Sequence, residues 1–600
     1  MRTVAPVAAA VLVAALAALP QMLTGTYYQF MLVVTFIYII VTTGLNILAG
    51  YTGQFSLGHA GLFAVGAYTS ALLSKRLGAW PLLGQTGLEV VVAMVAGVLM
   101  ACLFGAVLAY PALRVRGPYL AMVTVAFGWV IWKILLEWVS VTGGELGITS
   151  IPRAHVGGWV LDTSRFYYVT MALAVAGLLL QRNLVTSAEG RKLQAVKHSE
   201  PAAASLGIDV YRTKVSMFVV SAGFAGVGGA LFAHQQSYIN PDNFKFFDSV
   251  FFLLAVLFGG ASTLLGPVVG AATLVFLPEL LQEFDHYRLI VYGLIILLTL
   301  YLLPRGVCGS FPTGRRTPTP QPARGAVPTV ASAAVPSSGV AGRPLLEVAG
   351  VSKSFGGVRA LDDVSLEVPA RTVHALIGPN GAGKTTLLNI VSGAYRADRG
   401  AIRLAGQAQS IVSPERAARL GIARTFQTIK LFAEMTVLDH VLVGFERQRH
   451  TGLAHAMAAT RVARAEDRAL RGEAYALLEF VGLAGVAHQP ATSLAYGHRR
   501  LLELARALAV KPQLLLLDEP AAGLVAHEIE ALDRLIVELR GRGLTILLVE
   551  HHMDLVMSIS DSITVLDHGV VIGRGKPAEI QGNERVVEAY LGPAYDAVRH

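Results

Sequence analysis

The sequence has little cysteine and little charge, and both shortages restrict what the protein is. Its two cysteines, Cys102 and Cys308, are too few in 600 residues for a disulfide framework or a cysteine-rich metal cluster. Charged residues make up 15% of the chain and hydrophobic residues 54%, whereas an ordinary soluble domain has about 25% charged residues. This composition argues against a wholly soluble protein and indicates a membrane protein.

The net charge of +9 would suggest a nucleic-acid partner if the protein were soluble. Basic residues of this chain instead cluster beside hydrophobic runs, as they do in cytoplasmic loops of membrane proteins. We therefore expect membrane lipid, and not nucleic acid, as a partner.

Charge is sparse before residue 305, where hydrophobic runs follow one another. Because a membrane-spanning helix needs about 20 apolar residues, these runs predict a polytopic α-helical membrane domain of about ten spans. The predicted spans are 4–23, 27–50, 57–74, 89–110, 119–139, 166–184, 213–235, 248–265, 267–283 and 288–304. The third is the weakest, since it is rich in glycine and carries His59, and it is a candidate for a broken or re-entrant helix.

Basic residues set the predicted orientation of these spans. The loop 185–212 is basic and is therefore placed in the cytoplasm. Ten spans then put Lys75 and Arg76 outside, against the same bias, which is the main weakness of that count.

A change of composition divides the chain into three parts. Residues 305–345 are rich in proline, alanine, serine and glycine, which cannot bury a core and predict a cytoplasmic linker. We therefore predict a membrane domain at 1–304, a linker at 305–345 and a second domain at 346–600. In that second domain strands alternate with helices, which predicts an α/β fold with a parallel sheet.

One motif in the second domain is typical of loops that hold nucleotide phosphates. It fits G-x-x-x-x-G-K-[ST] and follows the buried strand 373–377, as the motif requires. Its residues are Gly378, Pro379, Asn380, Gly381, Ala382, Gly383, Lys384, Thr385 and Thr386. Backbone N–H groups of this loop are expected to hold ATP phosphates, Lys384 to reach the β- and γ-phosphates and Thr385 to hold Mg²⁺.

Two further strands of this domain end in candidate catalytic residues. The four-leucine strand 514–517 is followed by Asp518, expected to organise Mg²⁺, and by Glu519, expected to polarise the attacking water. The strand 545–549 is followed by Glu550 and His551, and His551 is a candidate for contacting the γ-phosphate. A lone histidine after a strand is usually a polar cap, so this role depends on the other motifs.

Together these motifs resemble an ABC transporter nucleotide-binding domain. The resemblance implies that Phe355 stacks on adenine and that Gln427 is the catalytic, Mg²⁺-contacting glutamine of the loop leading to the helical subdomain. It places the signature motif at 494–498, where Ala495 and Gly497 would complete the ATP site of a partner domain.

The resemblance narrows to importers of branched-chain amino acids, and it covers both halves of the chain. In the ATPase half it rests on 494–497, 520–524 and the ending 588–592. In the membrane half it rests on 50–60 and 116–119, and residues 200–207 resemble the coupling loop that docks on the ATPase. It implies a permease subunit fused to an ATP-binding subunit.

The sequence also departs from that family pattern. His498 stands where glutamine is usual, and Val525 and Ala526 stand where Asn-Pro is usual. Since these residues serve the partner's site, we expect the partner's site to hydrolyse ATP less well. Glu145 and Leu146 also depart from the usual pattern in an outer loop, which leaves the substrate open among branched-chain and other amino acids, urea and short amides.

The resemblance implies ATP-driven import of branched-chain or related amino acids, with ATP hydrolysis coupled to transport. It places a multi-pass protein in the bacterial inner membrane with its ATP-binding domain in the cytoplasm. The implied partners are a second permease and a second ATPase, in a homo- or heterodimer, and a periplasmic substrate-binding protein. Import of urea or short amides by the same machinery is the alternative, while an ABC exporter or a non-transport switch fits the short spans and the complete catalytic set less well.

Overall fold

A computed structural model describes residues 14–22, 26–79, 86–114, 119–156, 159–281, 287–310, 344–409, 411 and 413–591. These residues form two compact units. The first runs to Thr186 and resumes at Tyr211, and the second joins Ser187–Val210 to the residues from Pro344 onward. Most of the predicted linker lies outside the described residues, so the boundaries of the three parts remain a prediction.

The first unit is almost entirely helical, with one short antiparallel hairpin, β1 and β2, at His155–Val156 and Trp159–Val160. Its helices are α1 (14–22), α2 (Thr26–Leu45), α3 (His59–Gly78), α4 (Leu88–Ala112), α5 (Tyr119–Glu137), α6 (Val139–Thr142), α7 (Thr163–Thr186), α10 (Val210–Gln236, which begins at the unit boundary), α11 (Phe246–Gly259), α12 (Gly266–Leu280), α13 (Arg288–Leu302) and α14 (Gly306–Ser310). Helices α8 (Ala188–His198) and α9 (Glu200–Ser205) fall between them along the chain and belong to the second unit.

Among the described residues, five helices are long and apolar enough to cross a membrane. They are Thr26–Tyr51, Leu88–Ala112, Tyr119–Glu137, Thr163–Thr186 and Val210–Gln236. Phe246–Gly259 and Gly266–Leu280 are apolar but shorter. The count of about ten spans is therefore not confirmed, and most of the first predicted span, 4–23, lies outside the described residues.

The third predicted span is a continuous helix, and the irregular backbone precedes it. Helix α2 ends in a π-helical turn, Asn46–Tyr51, and regular helix resumes only at His59. Gly53 in this irregular segment has φ of +70°, a conformation that favours glycine. His59 is fully buried, and its ring nitrogens lie 3.0 Å from Ser56 Oγ and 2.7 Å from Ser221 Oγ, so it is a satisfied core histidine.

Small residues let the helices of this unit approach closely. A Cβ built on Gly229 of α10 would lie 2.0 Å from the Phe63 carbonyl oxygen of α3. Lys133 and Glu137, four residues apart on α5, form an exposed ion pair at 2.8 Å.

The second unit contains two sheets and the remaining helices. Its strands are β3 (Pro344–Phe355), β4 (Val358–Pro369), β5 (Val373–Ile377), β6 (Arg399–Leu404), β7 (Gln407–Ala408), β8 (Ile422–Arg424), β9 (Leu514–Asp518), β10 (Thr545–Val549), β11 (Ser562–Asp567) and β12 (Val570–Gly575). Its further helices are α15 (Lys384–Val391), α16 (Pro414–Arg419), α17 (Val437–Val443), α18 (Leu453–Met457), α19 (Arg461–Phe480), α20 (Tyr496–Ala509), α21 (Ala526–Gly541), α22 (Met553–Ile559), α23 (Pro577–Gln581) and α24 (Glu584–Leu591).

The larger sheet positions the site. Its order is β12-β11-β5-β10-β9-β8, with parallel pairing everywhere except between β11 and β12, which confirms the predicted parallel sheet. The central strands β5, β9 and β10 are buried along their whole length. Because they are adjacent and parallel, the residues after Ile377, Asp518 and Val549 meet at one edge of the sheet.

Candidate nucleotide site

The phosphate-binding loop follows β5 and has the backbone freedom that its glycines provide. Gly378, Gly381 and Gly383 have φ of +150°, +85° and +98°. A Cβ on Gly381 would meet no atom within 4 Å, so the loop is open there, whereas one on Gly378 would lie 2.0 Å from the Leu566 carbonyl oxygen. Gly383 is the N-cap of α15, whose first turn carries Thr385 and Thr386. The loop and the first turn of α15 therefore present backbone N–H groups suited to phosphate oxygens.

Lys384 lies inside this loop. Its Nζ donates to the carbonyl oxygens of Gly378 and Pro379 at 2.7 and 2.9 Å. Burial lowers the pKa of Lys384, and the carboxylates of Glu519 and Asp518 only partly oppose that effect. Because an ammonium group has three protons, one remains to reach a phosphate.

Asp518 ends β9 with its two carboxylate oxygens in different environments. Its Oδ2 accepts a hydrogen bond from Arg424 Nη2 at 2.9 Å. Its Oδ1 is buried and has no hydrogen-bond partner among the described residues. A carboxylate oxygen left free in this way suits a Mg²⁺ ion or its water shell.

Arg424 connects Asp518 to the helix that follows the phosphate-binding loop. Its Nη1 donates to Asn389 Oδ1 at 2.5 Å and to Ser392 Oγ at 3.0 Å. Both Arg424 and Asp518 are buried, with 8% and 1% of their side chains exposed. Arg424 could not be singled out from the sequence, because nothing in its spacing marks it.

The three predicted catalytic side chains come together at Glu519. Its Oε2 accepts from Gln427 Nε2 at 2.9 Å, and its Oε1 lies 3.0 Å from His551 Nε2. Glu519 has φ of +48°, a left-handed conformation that costs a non-glycine residue about 1–3 kcal/mol. Such a backbone is held where surrounding contacts fix it, and the Glu519 N–H donates to the Val549 carbonyl oxygen at 2.8 Å.

Glu550, a residue with no role predicted from the sequence, fixes the loops that carry these side chains. Its Oε1 accepts from the Ala521 N–H at 2.6 Å, and its Oε2 accepts from the N–H groups of His551 and His552 at 2.8 and 3.3 Å. The signal available in the sequence was an acidic residue at the end of a fully buried strand.

Two exposed aromatic rings lie at the end of β3. Phe355, the predicted adenine contact, is 42% exposed, and its ring centroid lies 5.3 Å from that of Tyr395 in an edge-on arrangement. Tyr395 was missed because it follows the phosphate-binding helix and carries no motif of its own.

The signature residues lie in a different neighbourhood from the phosphate-binding loop. Ala495 is the N-cap of α20, and Gly497 lies in its first turn. A Cβ on Gly497 would lie 2.1 Å from Glu528 Oε1, and one on Gly523 would lie 3.0 Å from the Tyr496 ring. The structure thus groups the signature motif with residues 523–528, the segment that departs from the family pattern.

Helix α20 also holds the loop that carries Gln427. Arg500 Nη1 and Nη2 donate to the carbonyl oxygens of Phe426 and Gln427 at 2.8 and 2.7 Å. Glu503 Oε1 accepts from the Phe426 N–H at 3.1 Å. Neither residue was singled out from the sequence, because their partners lie more than 70 residues away.

Three protein-family models match successive parts of the chain. The branched-chain amino acid transport system permease component matches residues 27–300, the ABC transporter family matches 361–522, and the branched-chain amino acid ATP-binding cassette transporter family matches 570–592.

Curated relatives match the two halves separately. The high-affinity branched-chain amino acid transport ATP-binding protein LivG of Escherichia coli is 45% identical over 42% of this chain and 99% of its own length. BraF of Pseudomonas aeruginosa, a protein with the same description, is 43% identical over the same shares. The permease protein LivM of E. coli is 35% identical over 46% of this chain and 68% of its own length.

These matches cover both the helical unit and the unit that holds the nucleotide site. The permease match shows that the helical unit is that of a membrane protein. The ATP-binding match shows that the other unit is an ATP-binding, ATP-hydrolysing domain. The chain therefore belongs to the family of branched-chain amino acid ABC transporters, and it carries a permease component and an ATP-binding component on one polypeptide.

Proposed function

We propose that the chain imports branched-chain amino acids across a bacterial inner membrane at the expense of ATP, with both components of the machine in one polypeptide. The observation that carries this proposal is the meeting of Glu519, His551 and Gln427 beside Lys384, in a chain whose other half is a permease. An ATPase with a complete catalytic set supports turnover and argues against a passive nucleotide switch.

Each predicted residue has a role in the proposed reaction. The loop 378–386 and Lys384 bind the phosphates, and Phe355 stacks on the base. Glu519 accepts the proton of the attacking water, while His551 and Gln427 hold the Glu519 carboxylate and contact the γ-phosphate and the water. Ala495 and Gly497 serve the ATP bound by a second ATPase domain.

Asp518, Thr385 and Gln427 are the proposed residues for Mg²⁺. The free, buried Oδ1 of Asp518 and the oxygen chemistry of the set fit this ion. A bound Mg²⁺ would neutralise charge on the β- and γ-phosphates.

The proposed complex has two permeases and two ATPases, either two copies of this chain or this chain with related subunits. A periplasmic binding protein delivers the amino acid, and the multi-pass permease keeps the ATPase on the cytoplasmic side. Closure of the ATPase pair is transmitted through the segment 200–207.

The test is uptake of labelled leucine by cells that express the chain with its genomic neighbours, with urea and a basic amino acid as competitors. We expect uptake that unlabelled leucine blocks and that Lys384→Ala abolishes. The matched control is Lys430→Ala, since Lys430 is an exposed lysine of the same domain. ATP-dependent uptake of a competitor without leucine uptake would replace the cargo, and uptake that survives Lys384→Ala would refute the ATP coupling.

A further inference from the structure

The segment Ser187–Val210 lies between membrane helices α7 and α10 along the chain but is built into the ATPase unit. Part of its contact is apolar. Six residues of the segment belong to one buried cluster with ATPase residues such as Phe432 and Leu438. The six are Ala195, Val196, Ala202, Ala203, Leu206 and Ile208. Apolar contact of this kind gives affinity but little discrimination between similar partners.

The other part of the contact is charged and involves α8. Arg191 pairs with Asp467, Lys192 Nζ lies 2.8 Å from Glu446 Oε1, and Glu189 Oε1 accepts from Arg449 Nη2 at 3.0 Å. We call this set the charged clamp, and it comprises Glu189, Arg191 and Lys192 of the loop with Glu446, Arg449 and Asp467 of the ATPase.

The clamp is largely removed from water. Its side chains are between 6% and 24% exposed. Burial alone would lower the pKa of Lys192, but the carboxylates of Glu446 and Glu189 raise it above its ordinary value. Burial would raise the pKa of Asp467, and Arg191 and Arg471 lower it. Both residues therefore remain charged at neutral pH.

Buried ion pairs discriminate more than they stabilise. Their desolvation offsets much of their attraction, yet leaving one charge without its partner is strongly unfavourable. Both sides of the clamp carry both signs, since Glu189 faces the cation Arg449 while Arg191 and Lys192 face the anions Asp467 and Glu446. A loop or an ATPase with another order of signs would bring like charges together.

We propose that the charged clamp determines which ATPase domain this cytoplasmic loop binds, and that it selects the ATPase domain of its own chain. The clamp is distinct from the segment 200–207, which transmits closure. The inference rests on the proposed function in one respect, because selection between ATPases matters only in a complex that contains two of them.

A disulfide reports the docking without touching the clamp. A Cβ on Gly207 would lie 3.6 Å from Ala418 Cβ, a separation within the range of disulfides. Gly207→Cys and Ala418→Cys are placed in one full-length chain that also carries Cys102→Ser and Cys308→Ser, in membranes treated with a mild oxidant. We expect the cross-link within one chain, seen as faster migration on a non-reducing gel.

Charge reversal then tests the clamp itself. Arg191→Glu and Asp467→Arg should each reduce the intrachain cross-link and leucine uptake at least about tenfold, and the double reversal should restore both to within about threefold. The control is Lys197→Glu on the same helix, since Lys197 lies 3.4 Å from Glu434, whose side chain is 46% exposed and therefore well solvated. That reversal should change either readout less than about twofold.

Three results would overturn the proposal. They are cross-links that form only between chains, single reversals without effect, and a double reversal as poor as the single ones. If Gly207→Cys prevents folding because Gly207 has φ of +89°, the uptake series still decides. If the chain with Gly207→Cys and Ala418→Cys forms the clamp-dependent cross-link but the wild-type chain imports no leucine, the proposed function is refuted and the clamp proposal is kept.

Discussion

The ATPase unit and the helical unit both bury polar side chains, but they hold them by different means. In the ATPase unit the partners are often ionised, as with Asp518 and Arg424 at 2.9 Å. In the helical unit they are mostly neutral: His59 lies between two serine hydroxyls, and Asn46 bonds to backbone groups of residues 262 and 263. Glu89, with a carboxylate oxygen 3.2 Å from His155 Nε2, departs from this pattern.

The difference follows from the surroundings. Placing an ionised group inside a membrane is energetically unfavourable even when the group is paired. Amides, hydroxyls and neutral imidazoles are tolerated there when they are hydrogen-bonded. The loss of one hydrogen-bonding or ionic partner should therefore reduce stability or activity more in the ATPase unit than in the helical unit.

The largest expected effect comes from Glu519→Gln. This change keeps the shape of the side chain and its contacts to Gln427 and His551 but removes the proton acceptor. We expect ATP turnover to fall about 1,000-fold with nucleotide affinity retained, as measured by phosphate release and nucleotide binding. Glu530→Gln, at an exposed position of the same domain, is the control. A full rate in Glu519→Gln would show that another group is the base.

Arg424→Met should have the next largest effect. It removes the cation that pairs with the buried Asp518, so the carboxylate loses the contact that holds it in place. We expect turnover to fall about 10–100-fold and the Mg²⁺ concentration for half-maximal rate to rise, with ATP binding largely kept. Arg424→Lys keeps the charge and should recover part of the Mg²⁺ dependence. An unchanged Mg²⁺ requirement in Arg424→Met would mean that Arg424 does not position Asp518.

The proposed catalytic set could be predicted from the sequence because its residues stand at fixed offsets from strand ends. Lys384 follows β5 in a motif, Asp518 and Glu519 end β9, and His551 follows β10. Arg424 could not, because a side chain that acts on a group distant along the chain leaves no periodic signal. Glu550 was missed for another reason: its position directly after β10 marks it, but not the backbone N–H groups that it holds. Arg424 and Asp518 are 94 residues apart.

The helical unit was harder to predict for a related reason. Hydropathy locates apolar runs, but it does not say where a helix is interrupted. The segment 46–58 reads as the end of one span and the start of another, while in the structure it is a π-helical turn followed by irregular backbone. Asn46 of this segment bonds to residues 262 and 263, and His59, the first residue after it, bonds to Ser221; no local pattern specifies these partners.

Asn46→Leu tests the neutral network of that unit. Asn46 Oδ1 accepts from the Ser262 N–H at 3.0 Å and Nδ2 donates to the Thr263 carbonyl oxygen at 2.8 Å. Loss of both bonds should cost about 2 kcal/mol, seen as a lower melting temperature of the purified chain, with uptake reduced several-fold. Thr43→Val is the matched control, because Thr43 Oγ1 is buried without a hydrogen-bond partner among the described residues, and it should be neutral or stabilising. The melting temperature of Arg424→Met is measured beside it, and a larger decrease in Asn46→Leu than in Arg424→Met would contradict the comparison between the two units.

The smallest effect is expected at His440, a buried histidine of the ATPase unit. Its hydrogen-bond partners are uncharged, like those of the buried polar side chains in the helical unit. Its Nδ1–H donates to the Thr436 carbonyl oxygen and its Nε2 accepts from the Phe432 N–H, both at 2.9 Å. Burial lowers the pKa of His440 to about 3. The unfolded chain, with a histidine pKa of about 6.5, therefore takes up the proton first.

This sets the direction of the pH dependence. The contribution of His440 to stability is complete above about pH 6.5 and is lost as the pH falls toward 3. Between pH 7 and pH 5.5 the loss should be about 1 kcal/mol. His440→Gln should lower stability at pH 7 but flatten this part of the pH dependence, as measured by thermal unfolding of the full chain at both values. If the free energy of unfolding of the variant fell as steeply with pH, the imidazole would take up its proton without unfolding. Buried side chains held in neutral form would then be a feature of the helical unit and not of the ATPase unit.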